Sequence, residues 1–407
     1  MLPILILRAQ GILSGGAQVL DSLIVEALQW SPPEGTIDLG PGYPGPELWP
    51  ARLLVEGAEL LSDSPAAAIL YGAERGPAAL RRLVVDRAIA HCRFEEVLVT
   101  AGTSSALDEL CRVLARSGDV VLVEDPTYDL ARTIFEDNEL IVQPVMTGAS
   151  GIDLDDLERR LRTIRSSTAR VAFAYLIPTH HNPTGGNHDL AARHALLELA
   201  ARSSLLIIED DAYASLWFAT PPPPTLRALD DAGIVVRLGT FSKILGPGLR
   251  VGWLEGPRSL VEALASRGSR RSGGGSSHLA AMLVASVLAG DGYDRHVSAV
   301  RDVLRRRWAA VATTLTREAP DWRYDEPQGG YFAWLKVPAD QPPQALVATA
   351  KRQGVIVRDG GEFGGAGRDH VRLALSYYSE DELRIATQRL VRACSETGID
   401  VGTSKAG

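Results

Sequence analysis

Lysine is rare in this chain. Its 407 residues include only Lys243, Lys336, Lys351 and Lys405, and arginine supplies nearly all the other positive charge. Arginine stays protonated, whereas the amine of lysine can lose its proton and attack a carbonyl. A lysine kept within the small, polar segment 239–250 is therefore a candidate nucleophile.

Other shortages exclude whole classes of protein. The net charge is −8 with no block of basic residues, which argues against nucleic-acid binding. The cysteines Cys92, Cys111 and Cys394 are too widely spaced for a CxxC motif, and they predict a reducing cytoplasm. The apolar residues 1–7 are too few for a signal or membrane-spanning segment. We interpret them as an arm that packs on a neighbouring subunit, unless the start codon is misassigned.

What the chain does contain is a series of short apolar runs separated by helical patterns. Runs that are apolar throughout, without alternation, are typical of strands buried on both faces of a largely parallel sheet. The sequence therefore predicts an α/β fold whose functional groups follow the carboxyl ends of the strands. The runs cover residues 96–100, 119–124, 170–176, 204–208 and 233–238.

The composition changes near Gly273. From Tyr293 a long arginine-rich helix is predicted, and after it come three strand-like runs and a capping box at residues 379–382. We therefore expect a second, smaller domain. The predicted division is an N-terminal arm and small-domain segment at 1–45, a large domain at 46–290, and a small C-terminal domain at 291–407.

If Lys243 binds pyridoxal phosphate as a Schiff base, a carboxylate is needed at the ring nitrogen. Asp210 follows a buried run and is our candidate, with Tyr213 in reach of the phenolic oxygen of the cofactor. Asn182 is a second candidate donor to that oxygen. The alternatives are a helix N-cap for Asp210 and an ordinary Asn-Pro turn for Asn182.

The phosphate would need hydroxyls and backbone amides. Thr103 and Ser104 stand where a predicted strand gives way to a helix, and Thr240, Ser242 and Arg250 flank the lysine. A Gly-Thr-Ser-Ser turn taken alone is as consistent with a simple helix cap.

The carboxylate of an amino-acid substrate would need a cation. Arg372 interrupts the apolar run 371–375. A buried arginine is costly without a partner, which favours bidentate binding of a carboxylate. A salt bridge within the protein is the alternative.

Taken together, these segments resemble the fold-type I pyridoxal-phosphate enzymes of the class I/II aminotransferase family. The resemblance is greatest to the branch of 2-aminoadipate and kynurenine aminotransferases and the enzyme-like domain of MocR regulators, and it spans nearly the whole chain. The matching segments are residues 44–50, 71–72, 124–128, 182–185, 210–213, 241–250 and 329–334.

The resemblance implies a fold with a mostly parallel seven-stranded sheet between helices and a smaller α+β domain. It implies pyridoxal 5′-phosphate and no metal, with Lys243 and Asp210 catalytic and Tyr128 stacked on the ring. It also implies a homodimer in which Tyr71 reaches the phosphate of the neighbouring subunit. Arg372, Asn182 and the backbone of Gly42 would hold the substrate.

Two positions depart from the branch. It usually has glutamine before the Asn-Pro-Thr-Gly motif and threonine after the lysine, whereas this chain has His181 and Ile244. One hypothesis is that His180 or His181 is an extra acid or base. The alternative is that one faces solvent and the other packs in the interior.

Three functions follow from these residues. The first is an aminotransferase that passes the amino group of an α-amino acid to a 2-oxo acid. The second is a related lyase or decarboxylating enzyme of specialised metabolism. The third is a regulator of the MocR type, which would need a DNA-binding domain before residue 40. The cofactor motifs leave the substrate and the bond that breaks undecided.

Overall fold

The computed structural model describes residues 29–31, 33–62, 65–87, 92–273, 275–338 and 342–403. The predicted N-terminal arm at residues 1–7 lies outside them. Within these residues no helix is long and apolar enough to cross a membrane.

The strands form three sheets. A two-stranded sheet pairs β1 with β12, a four-stranded sheet has the order β10-β11-β14-β13, and the largest has the order β2-β9-β8-β7-β6-β3-β4-β5. Their bounds are β1 Ile37–Asp38, β2 Val97–Thr100, β3 Val120–Asp125, β4 Ile141–Gly148, β5 Gly151–Ile152, β6 Val171–Leu176, β7 Ile207–Asp210, β8 Val235–Thr240, β9 Gly252–Glu255, β10 Arg323–Tyr324, β11 Phe332–Lys336, β12 Val355–Ile356, β13 Arg358–Asp359 and β14 His370–Ala374.

Helices connect and cover these strands. In chain order they are α1 Ala51–Ser62, α2 Pro65–Ile69, α3 Ala78–Asp86, α4 Thr103–Leu114, α5 Asp129–Asp137, α6 Leu154–Arg165, α7 Leu190–Arg202, α8 Arg258–Ala265, α9 Gly268–Arg271, α10 His278–Ala289, α11 Gly292–Glu318, α12 Pro343–Arg352 and α13 Glu380–Thr403. The long helix predicted from Tyr293 is α11, and the predicted capping box begins α13: Ser379 N–H donates to Glu382 over 2.9 Å, and Glu382 N–H donates to Ser379 Oγ over 3.3 Å.

The large sheet confirms the predicted α/β class. Strands β4, β3, β6, β7 and β8 run parallel to one another. Strand β9 is antiparallel to both of its neighbours, β8 and β2, and the two-residue β5 adds an antiparallel strand at the edge beside β4. Alternate residues of each strand enter different cores: Val121 packs with α4 and α5, whereas Val120 packs with α6 and α7. Both faces are thus buried, which is why the strands read as unbroken apolar runs.

The four-stranded sheet lies beside the large one in a separate core formed with α12, α13 and part of α11. Strand β1 pairs in parallel with β12 from near the other end of the chain. This pairing supports assigning the segment before residue 46 to the C-terminal part. The domain boundaries themselves stay a prediction.

Three strands of the large sheet, β4, β5 and β9, were missing from the predictions, and β5 is only two residues long. Strand β4 carries Pro144, and Val145 is its only buried residue, because it lies near an edge of the sheet. Strand β9 is only four residues long, Gly252–Glu255, and is antiparallel to β2 and β8. None of the three matches the long apolar run that marks a central parallel strand.

A cluster of buried charged side chains connects β8 and β9 with the residue that follows β7. Arg237 is 4% exposed, its Nε donates to Asp211 over 2.6 Å, and its Nη1 donates to Glu255 over 3.0 Å. The indole N–H of Trp253 also donates to Glu255 over 2.8 Å. Two carboxylates therefore depend on one guanidinium, since buried charges need partners.

Replacing Arg237 with Met should destabilise the protein by about 3–5 kcal/mol, because it leaves Asp211 and Glu255 buried without their cation. Thermal unfolding of the protein without added ligand measures the effect. The matched control is Arg305→Met, since Arg305 is exposed and pairs with the exposed Asp302 at 3.4 Å. A midpoint for Arg237→Met no lower than that of the control would contradict the argument.

Candidate active site

Lys243 lies in the turn that follows β8. Its Nζ donates to the carbonyl of Gly42 over 3.1 Å, and the backbone carbonyl of Lys243 accepts from the hydroxyl of Tyr331 over 2.5 Å. The rings of Tyr213 and Tyr331 lie 5.6 and 5.8 Å from Nζ. Burial, together with the positive charges of Arg372 and Arg250, lowers the pKa of Lys243 to about 8, although Asp210 opposes the shift. The amine is therefore partly unprotonated near neutral pH.

Asp210 ends β7, on the strand next to β8. The hydroxyl of Tyr175, on β6, donates to its Oδ2 over 2.7 Å, while Oδ1 is buried with no partner among the described residues. Burial raises the pKa of Asp210 to about 6, and the Tyr175 hydrogen bond and Lys243 limit that rise. The carboxylate is thus mostly ionised at neutral pH and has one oxygen available to an N–H donor.

Arg372 lies in β14, with 4% of its surface exposed. Its Nη1 donates to Asn182 Oδ1 over 2.9 Å and its Nη2 to the Gly40 carbonyl over 2.5 Å, while Nε is buried without a partner among the described residues. The guanidinium lies 4.0 Å from the ring centre of Phe332 and 4.5 Å from that of Phe363. Burial lowers its pKa to about 10, which still leaves it charged. The predicted alternative, an internal salt bridge, is not what these contacts form.

The N-terminus of α4 begins at Thr103, with Ser104 in its first turn. Its cap is Gly102, at φ +98° and without a side-chain cap, so the first amides of the helix are free to bind an anion. Arg250 donates from Nη2 to the Ala101 carbonyl over 2.6 Å. The φ of +98° is a conformation that L side chains rarely adopt, which explains why a glycine stands at position 102.

Thr240 and Ser242 extend this polar surface from the end of β8. Their hydroxyls are 2.9 Å apart, and both residues are buried. Thr240 Oγ1 also accepts the amide of Ser242 over 3.1 Å. The hydroxyls flanking the lysine are thus held by one another.

Tyr128 and Tyr213 both lie close enough to Asp210 and Arg372 to interact with their charges. Tyr128 caps α5, and burial together with the charges of Asp129 and Asp210 raises its pKa. Tyr213 is buried, with its ring centre 5.5 Å from that of Tyr331. Both hydroxyls are therefore protonated near neutral pH and able to donate.

Tyr71 does not join this group of residues. It is 89% exposed and lies against Gly273, where a Cβ would come within 2.5 Å of its ring. Gly42 does join the group: a Cβ there would lie 2.7 Å from Phe332 Cζ, so glycine lets the backbone approach the site closely.

Both unusual histidines are buried. His180 is 1% exposed, and burial lowers its pKa to about 3, so it is neutral; neither ring nitrogen has a partner among the described residues. His181 is 6% exposed and contacts Thr184. The interpretation in which one of them faces solvent is therefore wrong.

Sequence reasoning missed two tyrosines at the site. Tyr175 appeared only as part of an apolar run, and Tyr331 only within the motif Gly329–Trp334. A tyrosine inside a wholly buried strand is itself a signal, because its hydroxyl needs a partner.

The residues present fit pyridoxal phosphate. Asp210 Oδ1 and Arg372 Nε are buried polar atoms without described partners, and they suit a ring N–H and a substrate carboxylate. The glycine-capped start of α4 suits a phosphate.

Comparisons with known proteins show the family of the chain. Residues 64–390 match the family model described as aminotransferase class I and II. The 2-aminoadipate transaminase of Thermus thermophilus is 35% identical over 93% of this chain and 95% of its own, and aromatic-amino-acid aminotransferase 1 of Thermococcus litoralis is 30% identical over 92% of each. The crystal structure of the Thermus thermophilus α-aminoadipate aminotransferase, complexed with N-(5′-phosphopyridoxyl)-L-leucine, has a TM-score of 0.81 at 33% identity and covers 89% of this chain and 93% of its own.

The amine of Lys243 should be unusually reactive in the apoenzyme. Labelling with fluorodinitrobenzene, followed across pH at the Lys243 peptide, should titrate near pH 8 rather than near the ordinary lysine value. Asp210→Asn should move the midpoint lower, because it removes the negative charge that stabilises the ammonium. Lys336 is the internal control, since it is half-exposed and pairs with Asp369 at 2.9 Å. Equal midpoints for Lys243 and Lys336 would contradict the assignment.

Proposed function

The chain belongs to the aminotransferase class I and II family, and on that premise we propose that it transfers the amino group of an α-amino acid to a 2-oxo acid with pyridoxal phosphate bound at Lys243. One observation carries the proposal: a buried amine of lowered pKa shares its pocket with a buried carboxylate that has one unpartnered oxygen. When bound, the cofactor supplies an aldehyde that condenses with amines and a ring that stores an electron pair.

Asp210 and Lys243 do the work at the reacting centre. With the cofactor bound, Asp210 would accept the ring N–H through Oδ1 and keep that nitrogen protonated. The Nζ of Lys243 would carry a proton between the substrate Cα and C4′ of the cofactor, the two carbons on either side of the substrate nitrogen. Its lowered pKa suits both steps, since general acid–base catalysis is most effective near the working pH.

The other residues hold the cofactor and the substrate. The start of α4, together with Thr103, Ser104, Thr240, Ser242 and Arg250, would bind the phosphate. Asn182 and Tyr213 would donate to the phenolic oxygen, and Tyr128 would stack on the ring. Arg372 would bind the substrate carboxylate, with Asn182 and the backbone of Gly42 completing that site.

We propose a homodimer in which Tyr71 completes the phosphate site of the partner subunit. The exposure of Tyr71 and of its neighbours Ile69 and Leu70 supports this, because apolar side chains exposed together suit an interface. The domain division at residues 45 and 290 and the cytoplasmic location remain proposals of the same kind.

Mixing the holoenzyme with single amino acids, without a 2-oxo acid, tests the reaction. Transamination predicts equal amounts of pyridoxamine phosphate and the matching 2-oxo acid, with the loss of cofactor absorbance at long wavelength. A panel of apolar, aromatic and dicarboxylic amino acids is the natural set, since the relatives are named for 2-aminoadipate and aromatic amino acids.

Lys243→Ala is the matched control and should give no conversion. Release of CO2 or of a β-substituent, with the cofactor left as pyridoxal phosphate, would instead establish the lyase or decarboxylase alternative.

The shared site can be tested by complementation. Lys243→Ala should be inactive and Tyr71→Ala should bind pyridoxal phosphate more weakly. If both are refolded together in equal amounts, heterodimers should regain one intact site each, which gives about a quarter of the wild-type activity at low cofactor concentration. Activity equal to the mean of the two separate variants would contradict a site shared through Tyr71.

A further inference from the structure

His181 occupies the position directly before Asn182, where an acid or base could have stood. Its ring is buried, with 6% of the residue exposed, and lies between Thr184 and Glu124. Its Nδ1 lies 3.0 Å from Thr184 Oγ1, and its Nε2 lies 3.5 Å from Glu124 Oε2, the separation of an ion pair rather than of a tight hydrogen bond. Both nitrogens thus face protein groups.

The backbone of His181 closes a short loop at both ends. Its N–H donates to the Gly186 carbonyl over 2.9 Å, and its carbonyl accepts from Gly185 N–H over 2.6 Å. The loop between them carries Asn182, whose Oδ1 is held by Arg372 at 2.9 Å. The backbone of His181 therefore holds the short loop that contains Asn182.

Glu124 lies next to this loop, near the carboxyl end of β3. It is 1% exposed, and it accepts hydrogen bonds from Ile177 N–H over 2.6 Å and from His188 Nε2 over 2.7 Å. Burial alone would raise its pKa, but His181 and His188 outweigh that and hold the pKa well below its ordinary range. A charged carboxylate thus faces His181.

The negative charge of Glu124 determines which ring nitrogen of His181 carries the proton. A proton on Nε2 of His181 is favoured, because a lone pair there would face a carboxylate oxygen. Nδ1 then accepts from the hydroxyl of Thr184. The same hydroxyl accepts the amide of Gly186 over 3.3 Å. Nε2 meets Glu124 at ion-pair distance only, without a hydrogen bond of normal geometry to any described residue.

We propose that His181 is a positioning residue that fixes the carboxamide of Asn182 between the cofactor and Arg372. The inference rests on the proposed function. It assigns His181 no proton transfer to the substrate, since its Nδ1 is held by Thr184 and its Nε2 faces the carboxylate of Glu124.

A glutamine at position 181 could keep both contacts, because its amide offers one donor for Glu124 and one acceptor for Thr184. An alanine would lose both contacts. We therefore expect His181→Gln to preserve cofactor binding and His181→Ala to weaken it.

The test compares His181→Gln and His181→Ala in the dimeric holoenzyme, with His194→Ala as the matched control on the exposed surface of α7. The readouts are the dissociation constant of pyridoxal phosphate, the absorbance maximum of the bound cofactor, and kcat and KM for the amino donor. His181→Ala should weaken cofactor binding and raise KM by about tenfold each, the cost of one lost hydrogen-bond path. His181→Gln and His194→Ala should stay within about threefold of the wild type.

Two results would overturn the proposal. One is His181→Ala with unchanged cofactor binding, absorbance and KM. The other is His181→Gln with normal cofactor binding but kcat lowered at least a hundredfold, which would make His181 an acid or base.

Thr184→Val is the second variant, for use if His181→Ala does not fold, because it removes only the hydroxyl that contacts His181 Nδ1. It should raise the dissociation constant of pyridoxal phosphate several-fold, and an unchanged dissociation constant would equally overturn the proposal. If the wild type converts no amino acid, the proposed function fails, and the cofactor-binding comparison still tests positioning.

Discussion

Burial of the Lys243 amine is the constraint on which the rest of the site depends. Removing an ammonium group from water disfavours its charge, and here that effect brings the pKa to about 8. The same burial would neutralise Asp210 if nothing opposed it, and the hydroxyl of Tyr175 at 2.7 Å helps to keep it ionised. The pocket therefore holds an amine that can be neutral beside a carboxylate that can be charged, which is the combination that pyridoxal phosphate chemistry requires.

The parallel sheet is what brings these groups to one place. Asp210 ends β7, Lys243 follows β8, Asn182 follows β6 and Tyr128 follows β3, and these four strands are adjacent in the sheet. Side chains that are far apart in sequence meet there because parallel strands end on the same side. This arrangement also buries charged side chains near the strand ends. Arg237 pairs with Asp211 and Glu255, and Glu124 pairs with His188.

Much of the fold could be predicted from the sequence, because central strands buried on both faces leave unbroken apolar runs. Strands β4, β5 and β9 could not, since β4 and β5 lie at an edge and β9 has only two apolar residues, Trp253 and Leu254. The positions of Lys243, Asp210, Asn182 and Arg372 could be predicted because their side chains are out of keeping with their surroundings. The partners Tyr175, Glu124 and Tyr331 could not, since a hydrogen bond between strands depends on register and rotamer, which the local sequence does not encode. Tyr71 marks another limit, because its predicted role needs a second subunit.

The most direct test of the central claim is to find which of the four lysines carries the cofactor. The holoenzyme would be reduced with borohydride, digested, and mapped by mass spectrometry. The account predicts a phosphopyridoxyl group on the peptide that contains Lys243 and on no other. A phosphopyridoxyl group on Lys336, Lys351 or Lys405 in place of Lys243, or none on any lysine of an enzyme saturated with pyridoxal phosphate, would contradict it.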